Sequence, residues 1–215
     1  MKTTLLSIIL TSIFFINCSK PTPEKGQGSG NPTTEKKEVK TSKNENFDFK
    51  VSVAAKDDEN RPVQLKINIF KNNKDFQEIM YTPGTWPVVE DSLSLNRINY
   101  FLSGEKIKEG IENYHDFIIA DFNFDQLEDF AILYDSGGNG GPVYSYFFQD
   151  KNDSTFKMNK EFPLNEGAFP KIIDSNNKTL TTIAPLGCCK INTTIFQLKE
   201  TKWNILSSKE QDMKR

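Results

Sequence analysis

Apolar residues occupy every second position in a series of short segments, and this alternation constrains the fold more than any other feature of the sequence. It is strict in residues 47–53 and 63–69. Weaker segments of the same kind occupy residues 76–81, 117–120, 130–134, 143–148, 171–173, 179–183, 191–198 and 203–206. A period of two is the spacing of a strand with one buried face. Turn residues separate nearly all of these segments, and no long helical pattern competes with them. We therefore predict an all-β fold, namely an antiparallel sandwich, barrel or small propeller-like domain with at most one short helix.

One segment, residues 93–102, fits two kinds of secondary structure. Leu95, Ile98 and Leu102 fall at helical spacing, whereas Leu93, Leu95 and Arg97 alternate as in a strand. Periodicity alone leaves both alternatives open.

The first 17 residues have the composition of a signal peptide. A short positive start, Met1-Lys2, precedes an apolar core over residues 5–16. A helix over that core would be only about 18 Å long, well short of the roughly 30 Å hydrocarbon layer of a bilayer. We therefore expect a segment that is cleaved rather than a permanent span.

Residues 15–18, Phe-Ile-Asn-Cys, resemble the lipobox of bacterial lipoproteins. This resemblance implies that Cys18 is lipidated, becomes the new N-terminus and anchors the mature protein to a membrane in the cell envelope of a Gram-negative bacterium. The alternative is an ordinary signal peptide that is cut elsewhere and leaves Cys18 as an odd thiol.

The rest of the chain divides by composition. Residues 18–46 carry the lipidated cysteine and a polar stretch with too little apolar surface to fold, which predicts a disordered tether with a mean reach of roughly 30 Å. Residues 47–209 form one domain of about 160 residues. A polar tail, residues 210–215, follows. The net charge is −2 with both signs interleaved, so neither nucleic acid nor an anionic lipid surface is expected as a partner.

Oxygen-bearing side chains recur at alternate positions of one short acidic segment. Asp121, Asn123, Asp125 and Asp129 occupy positions one, three, five and nine, and the Leu127 carbonyl lies between the last two. Hard cations bind to such oxygen sets, and three close carboxylates repel one another unless a cation or proton intervenes. The segment predicts a Ca²⁺ site with these five ligands.

The flanks of this segment have the pattern of strands, so it is not an EF-hand. It resembles the calcium loops of FG-GAP and VCBS type β repeats, with Gln126 in place of the usual Gly. The alternative is an acidic hairpin in which Asp121 and Asn123 accept hydrogen bonds from their own backbone.

Two further loops are distinctive. Residues 136–142, Ser-Gly-Gly-Asn-Gly-Gly-Pro, follow the next predicted strand and form either a flexible hairpin connection or a projecting binding loop. Cys188 and Cys189 are adjacent in the chain. Their Cα separation of about 3.8 Å would strain a disulfide. Two alternatives therefore remain for this pair, a vicinal disulfide and two buried thiols.

Catalytic motifs are lacking in the sequence. The only histidine, His115, has no candidate nucleophile at a recognisable spacing and is expected to be a surface residue. The acidic residues are better explained by the cation loop than by glycoside hydrolysis. The sequence predicts a protein that is not an enzyme.

Taken together, residues 114–208 resemble a periplasmic lipoprotein family that contains type IV secretion immunity proteins and is related to invertebrate-type lysozyme inhibitors. The resemblance rests on the acidic segment, on its continuation Asp-Phe-Ala-Ile-Leu at residues 129–133, on Gly-Cys-Cys at 187–189 and on the closing pair of strands. It implies structural calcium and a loop that blocks the cleft of a lysozyme-like peptidoglycan hydrolase. The residues assigned to that loop are Ser136, Gly137, Gly138, Asn139 and Tyr144.

Three functions follow as hypotheses. The first is inhibition of a peptidoglycan hydrolase by a calcium-stabilised lipoprotein that is not an enzyme. The second is a surface lipoprotein that binds glycan or serves as an assembly subunit. The third, which the sequence favours least, is a hydrolase.

Overall fold

Strands make up most of the chain that the computed structural model describes, residues 47–86, 95–103 and 115–213. The predicted signal peptide, Cys18 and the tether lie outside these residues, as does the Asn139 side chain. In the described part, no helix is long and apolar enough to cross a membrane.

The first sheet is an antiparallel meander of three strands: β1 (Phe47–Lys56), β2 (Pro62–Lys71) and β3 (Lys74–Tyr81). Its register pairs buried residues across the strands, with Phe49 opposite Ile69 and Val51 opposite Ile67. Asn72 and Asn73 close the second hairpin with φ of 53° and 61°, the left-handed conformation that a two-residue hairpin turn requires. The alternation in the sequence therefore corresponds to one face turned to the core.

The second sheet supplies the centre of the fold. Its order is β4 (Arg97–Asn99), β5 (Phe117–Ala120), β6 (Asp129–Asp135), β7 (Val143–Gln149) and β8 (Phe156–Met158), and β9 (Gly167–Ala168) also pairs with β7. Among the strand pairs that the structure describes in this sheet, β4 and β5 alone run parallel. All four residues of β5 are buried, which is why its sequence is continuously apolar. In the ambiguous segment, β4 is followed at once by a one-turn helix, α1 (Tyr100–Ser103), so each alternative holds for part of it.

The third sheet, in the order β10 (Ile172–Asp174), β11 (Thr179–Leu186), β12 (Lys190–Lys199) and β13 (Lys202–Asp212), extends beyond the core. Thr179 to Thr182 are buried, whereas the second half of β11 and most of β13 are exposed. Leu206 has no partner in β12, because Ser207 pairs with Ile195 and Ile205 with Phe196, so the edge strand contains a bulge. Strand β13 reaches Asp212, so residues 210–212 belong to this sheet rather than to a polar tail.

Aromatic rings join the first two sheets face to face. Phe49 of β1 lies 5.1 Å from Phe117 and 5.2 Å from Phe130 between ring centroids. Phe130 stacks on Phe117 at 4.8 Å and on Phe147 at 4.7 Å. These rings are almost fully buried. The predicted all-β fold is confirmed: the described residues form open sheets packed as a sandwich, and none of these sheets closes into a barrel.

Candidate functional site

The acidic segment forms the connection between β5 and β6. Its backbone takes a left-handed conformation at two residues that are not glycine, Phe124 with φ of 61° and Gln126 with φ of 69°. Such angles cost on the order of 1–2 kcal/mol for residues with a Cβ. Gln126 therefore adopts the conformation for which the resembling calcium loops use Gly.

Side-chain oxygens inside the loop accept hydrogen bonds from its own backbone. Asp121 accepts from the N–H groups of Asp125 at 3.0 Å and Gln126 at 2.9 Å. Asn123 Oδ1 also accepts from Asp125 N–H at 3.1 Å, and Asp125 Oδ1 accepts from Leu127 N–H at 3.0 Å. These bonds turn the three side chains inward, which is the arrangement that the acidic-hairpin alternative predicts.

Asp129 differs from the other carboxylates of the loop in its hydrogen-bond donors. It is fully buried at the start of β6 and accepts hydrogen bonds from the backbone N–H groups of Phe122 at 3.0 Å and Gln149 at 3.1 Å. Burial raises its pKa well above the usual value, and the negative charges of Asp125 and Asp121 raise it further. Asp129 is therefore a buried acid whose two hydrogen bonds connect the loop to the end of β7.

Burial also perturbs two other acids of the loop. It raises the pKa of Asp121, against the opposing effect of the backbone hydrogen bonds, and it raises the pKa of Glu128 to about 7. Glu128 was not singled out by the oxygen pattern, because it falls at an even position. One exposed cation is near: Lys151 Nζ lies 3.7 Å from Asp125 Oδ2.

The loop residues fit a hard cation in their chemistry. Among the described residues, no group of three or more His, Cys, Asp and Glu side chains is arranged to hold a metal ion. The predicted set contains three carboxylates, Asp121, Asp125 and Asp129, so this absence applies to it: the structure does not bring these three side chains together in a metal-holding arrangement. A carboxylate has about four lone-pair sites, so a carboxylate that accepts one or two hydrogen bonds from backbone N–H groups still has lone pairs that can bind a cation.

Two aromatic side chains anchor the acidic loop in the core. Phe122 is fully buried, with its ring 5.0 Å from Tyr146 and 5.9 Å from Phe169 in edge-to-face contacts. Phe124 lies 6.0 Å from Trp203 of β13. The burial of these rings helps to offset the strained backbone and connects the loop to the third sheet.

Residues 136–142, the glycine loop, connect β6 to β7 and contain a short 3-10 helix, Gly138–Gly140. Asp135 Oδ1 accepts a hydrogen bond from Gly137 N–H at 2.6 Å, which lowers the pKa of that carboxyl. Gly137 has φ of 70°, and a Cβ there would lie 1.6 Å from the Gly141 carbonyl oxygen. The loop is therefore an ordered turn that depends on glycine.

The structure separates the residues that were assigned to the partner-binding loop. Gly138 is exposed, whereas Ser136 and Gly137 are half-buried. Tyr144 is fully buried at the start of β7, where its hydroxyl donates to the His115 carbonyl at 2.9 Å. Its assignment as a partner-contacting side chain is therefore wrong, because the ring lies beneath the loop rather than on it.

A pocket of about 250 Å³ lies beside the glycine loop, between the second and third sheets. The loop residues 140–142 form one wall, and Phe169, Ile183 and Pro185 form others. The single charged residue among those that line it is Lys171. Sequence patterns did not reveal this pocket, because its walls come from segments that are far apart in the chain.

Cys188 and Cys189 lie in the turn between β11 and β12. Both are exposed, and no disulfide joins them. The buried-thiol alternative is therefore wrong. Gly187, with φ of 68°, begins this turn, and the Cys189 carbonyl accepts a hydrogen bond from Met213 N–H at 2.7 Å.

His115 lies beside polar groups rather than beside a nucleophile. Its Nδ1 is 3.2 Å from Asn96 Oδ1, and burial lowers its pKa. Its ring is half-buried, so the expectation of a simple surface residue holds only in part.

These features define an all-β domain of sandwich type with two ordered loops on either side of β6. The chain matches no known protein family and no curated protein. Its fold is similar to a solved structure from Xanthomonas, described as a type IV secretion system related protein, with a TM-score of 0.52 and 18% sequence identity. The likeness covers 79% of this chain and 84% of that one. At this identity it shows a shared fold.

Proposed function

We propose that this protein is a lipid-anchored protein of the bacterial envelope that binds and inhibits a lysozyme-like peptidoglycan hydrolase and is not itself an enzyme. The observation that carries this proposal is the glycine loop, which is exposed at Gly138 and held in one conformation by Asp135 and Gly137. The similar Xanthomonas fold, described as type IV secretion system related, supports an envelope setting.

An ordered loop is suited to insertion into a cleft. Binding orders flexible segments at a cost of about 0.5–1.5 kcal/mol for each immobilised side chain, and a loop that is already fixed avoids part of that cost. Backbone hydrogen bonds fix the turn: Gly140 N–H donates to Gly137 at 2.9 Å and Gly141 N–H to Gly138 at 3.3 Å. Gly138 and Gly140 are exposed and have no Cβ, so the turn presents backbone polar groups to a partner at these two residues.

The acidic loop supports the glycine loop through β6. Asp129 begins this strand and Asp135 ends it. We propose that Ca²⁺ binds the acidic loop through Asp121, Asn123, Asp125, the Leu127 carbonyl and Asp129. When bound, the ion would neutralise carboxylates that otherwise repel one another and so hold the loop closed.

The inhibitory function is tested by binding with two matched glycine variants. Gly138 and Gly187 both have positive φ, and a Cβ added at either one meets no atom within 4 Å. Gly138→Phe and Gly187→Phe therefore impose similar backbone strain, but only the first changes the proposed contact surface. Against a panel of peptidoglycan hydrolases, Gly138→Phe is expected to weaken binding and inhibition at least tenfold, whereas Gly187→Phe leaves them unchanged. Equal effects of both variants, or no hydrolase bound by the natural protein, would overturn the proposal.

Calcium is tested by thermal unfolding with and without excess chelator. At a concentration of about 100 times Kd, a bound ion stabilises the folded state by about 2.7 kcal/mol, so chelation is expected to lower Tm by roughly 5–10 °C. Asp125→Ala should abolish this difference. Asp75→Ala, which removes an exposed carboxylate from the first sheet, should retain it. If excess chelator leaves Tm unchanged, the proposal that the loop binds Ca²⁺ is wrong.

A second candidate, an assembly subunit, is favoured by the exposed edge strand β13. Ile205 and Leu206 are 64% and 57% exposed there. Edge strands offer backbone groups for pairing with a partner strand. Formation of a stoichiometric complex with envelope proteins, together with no effect on any hydrolase, would favour this candidate. Binding to a glycan array without hydrolase inhibition would instead favour the glycan-binding alternative.

A further inference from the structure

The pocket beside the glycine loop is lined by apolar side chains, by the backbone of the loop and by one cation. The Tyr144 and Phe169 rings pack edge to face at 5.3 Å, and both line it together with Pro142 and Ile183. Tyr144 is fully buried, so its ring supports Phe169 from behind, and its hydroxyl donates a hydrogen bond to the His115 carbonyl. The walls are therefore suited to an apolar body.

Lys171 is the charged element of this pocket. Its backbone N–H donates to the Thr181 carbonyl at 2.7 Å, which fixes its Cα against the third sheet. Within the described residues, no carboxylate lies within ion-pair distance of its ammonium. A ligand that brings a negative charge to this wall would therefore gain a partner that the protein itself does not supply.

We propose that this pocket binds a small apolar molecule that ends in a carboxylate, with the apolar body against Pro142, Phe169 and Ile183 and the carboxylate on Lys171. The volume of about 250 Å³ suits one aromatic ring or a short acyl chain. For comparison, a dry apolar cavity of about 150 Å³ in another protein accepts benzene. Two sources share this chemistry: a free carboxylic acid, and the C-terminal residue of a peptide.

The proposal goes beyond hydrolase inhibition, and its test needs no hydrolase. Binding to the folded chain is measured by NMR titration with 3-phenylpropionate for the free acid, N-acetylphenylalanine for the peptide C-terminus and 3-phenylpropanamide as the neutral counterpart. At least one of the two acids is expected to bind at least tenfold more tightly than the amide, and the acid that binds more tightly identifies the source.

Two substitutions locate the binding. Lys171→Met is expected to weaken binding of the acid about tenfold and to leave the amide unaffected, and Lys171→Arg should restore most of the loss. Ala168→Leu places extra volume in the pocket and should weaken binding of the acid and the amide alike, because Ala168 lines the pocket. Lys74→Met, a change in an exposed lysine of the first sheet, is the matched control and should have no effect.

Three results would overturn the proposal. The first is that the two acids and the amide bind equally tightly. The second is that the Lys171→Met variant binds the acid as tightly as the Lys74→Met variant does, and the third is that no probe causes a chemical-shift change at 10 mM, a concentration about tenfold above a Kd of 1 mM. A folded spectrum for each variant separates these results from a loss of structure.

Discussion

The acidic loop and the glycine loop lie at opposite ends of β6, yet they reach ordered turns by opposite means. In the acidic loop, residues with large side chains adopt left-handed backbone angles, as at Phe124 and Gln126. Side-chain oxygens satisfy the backbone N–H groups, and two phenyl rings are buried beneath the turn. In the glycine loop, glycines take the left-handed angles and one carboxylate, Asp135, accepts the decisive N–H.

The difference shows how order and exposure are combined. The acidic loop gains its order from the core, so its rings are not available to a partner. The glycine loop gains its order from local backbone bonds, so its tip remains at the surface. A change in the first loop should therefore affect the stability of the whole domain, whereas a change in the second should mainly affect the loop itself.

The largest effect is expected from Phe122→Ala. This substitution removes a fully buried ring and its contacts with Tyr146 and Phe169. It should lower the free energy of unfolding by about 3–5 kcal/mol, which urea denaturation measures. A loss below about 1 kcal/mol would show that the acidic loop is not anchored through this ring, and the contrast between the loops would fail.

A smaller effect is expected from Gly137→Ala. The new Cβ would be forced against the Gly141 carbonyl at a backbone angle that disfavours it, so the loop must rearrange, at a cost of about 2 kcal/mol. Gly140→Ala is the matched control, because a Cβ there meets no atom within 4 Å and its φ is not left-handed. Unfolding curves for the pair should differ, and identical curves would mean that the turn is not held in this conformation.

The smallest effect is expected from Gln126→Gly. Glycine removes the left-handed penalty in the acidic loop but adds backbone entropy to the unfolded state, so the net gain should be below about 1 kcal/mol. Urea denaturation measures this gain, and a calcium titration of the same variant measures its affinity for Ca²⁺, which should stay the same or rise. A clear loss of stability would show that the Gln126 side chain makes a contribution larger than the strain.

Much of the fold follows from the local sequence. The strict alternation in residues 47–53 and 63–69 predicted β1 and β2, and the four apolar residues of β5 matched the predicted segment. Strands β8 and β9 were not predicted, because Phe156–Met158 contains a single apolar–polar–apolar step and Gly167–Ala168 is too short to display a period of two. Both are held by pairing with β7, which is an effect of tertiary structure.

The candidate site was predictable only where it is contiguous in the chain. The oxygen spacing from Asp121 to Asp129 located the acidic loop, and the glycine content located the loop after β6. Strand β7 is buried on both faces from Tyr144 to Phe147, which a pattern of alternation does not indicate, so the burial of Tyr144 was missed. The pocket around Lys171 was missed for a related reason, because its walls are brought together only when the second and third sheets pack.

The bulge at Leu206 has a consequence for the behaviour of this protein at high local concentration. Long, flat, apolar edge strands favour stacking of identical chains into fibrils. In β13 the hydrogen-bond ladder with β12 is interrupted in its middle, and Lys209 adds a charge to the second half. Chains at high local concentration would therefore resist indefinite edge-to-edge growth, and the same edge would remain open to a partner strand whose shape accommodates the irregularity.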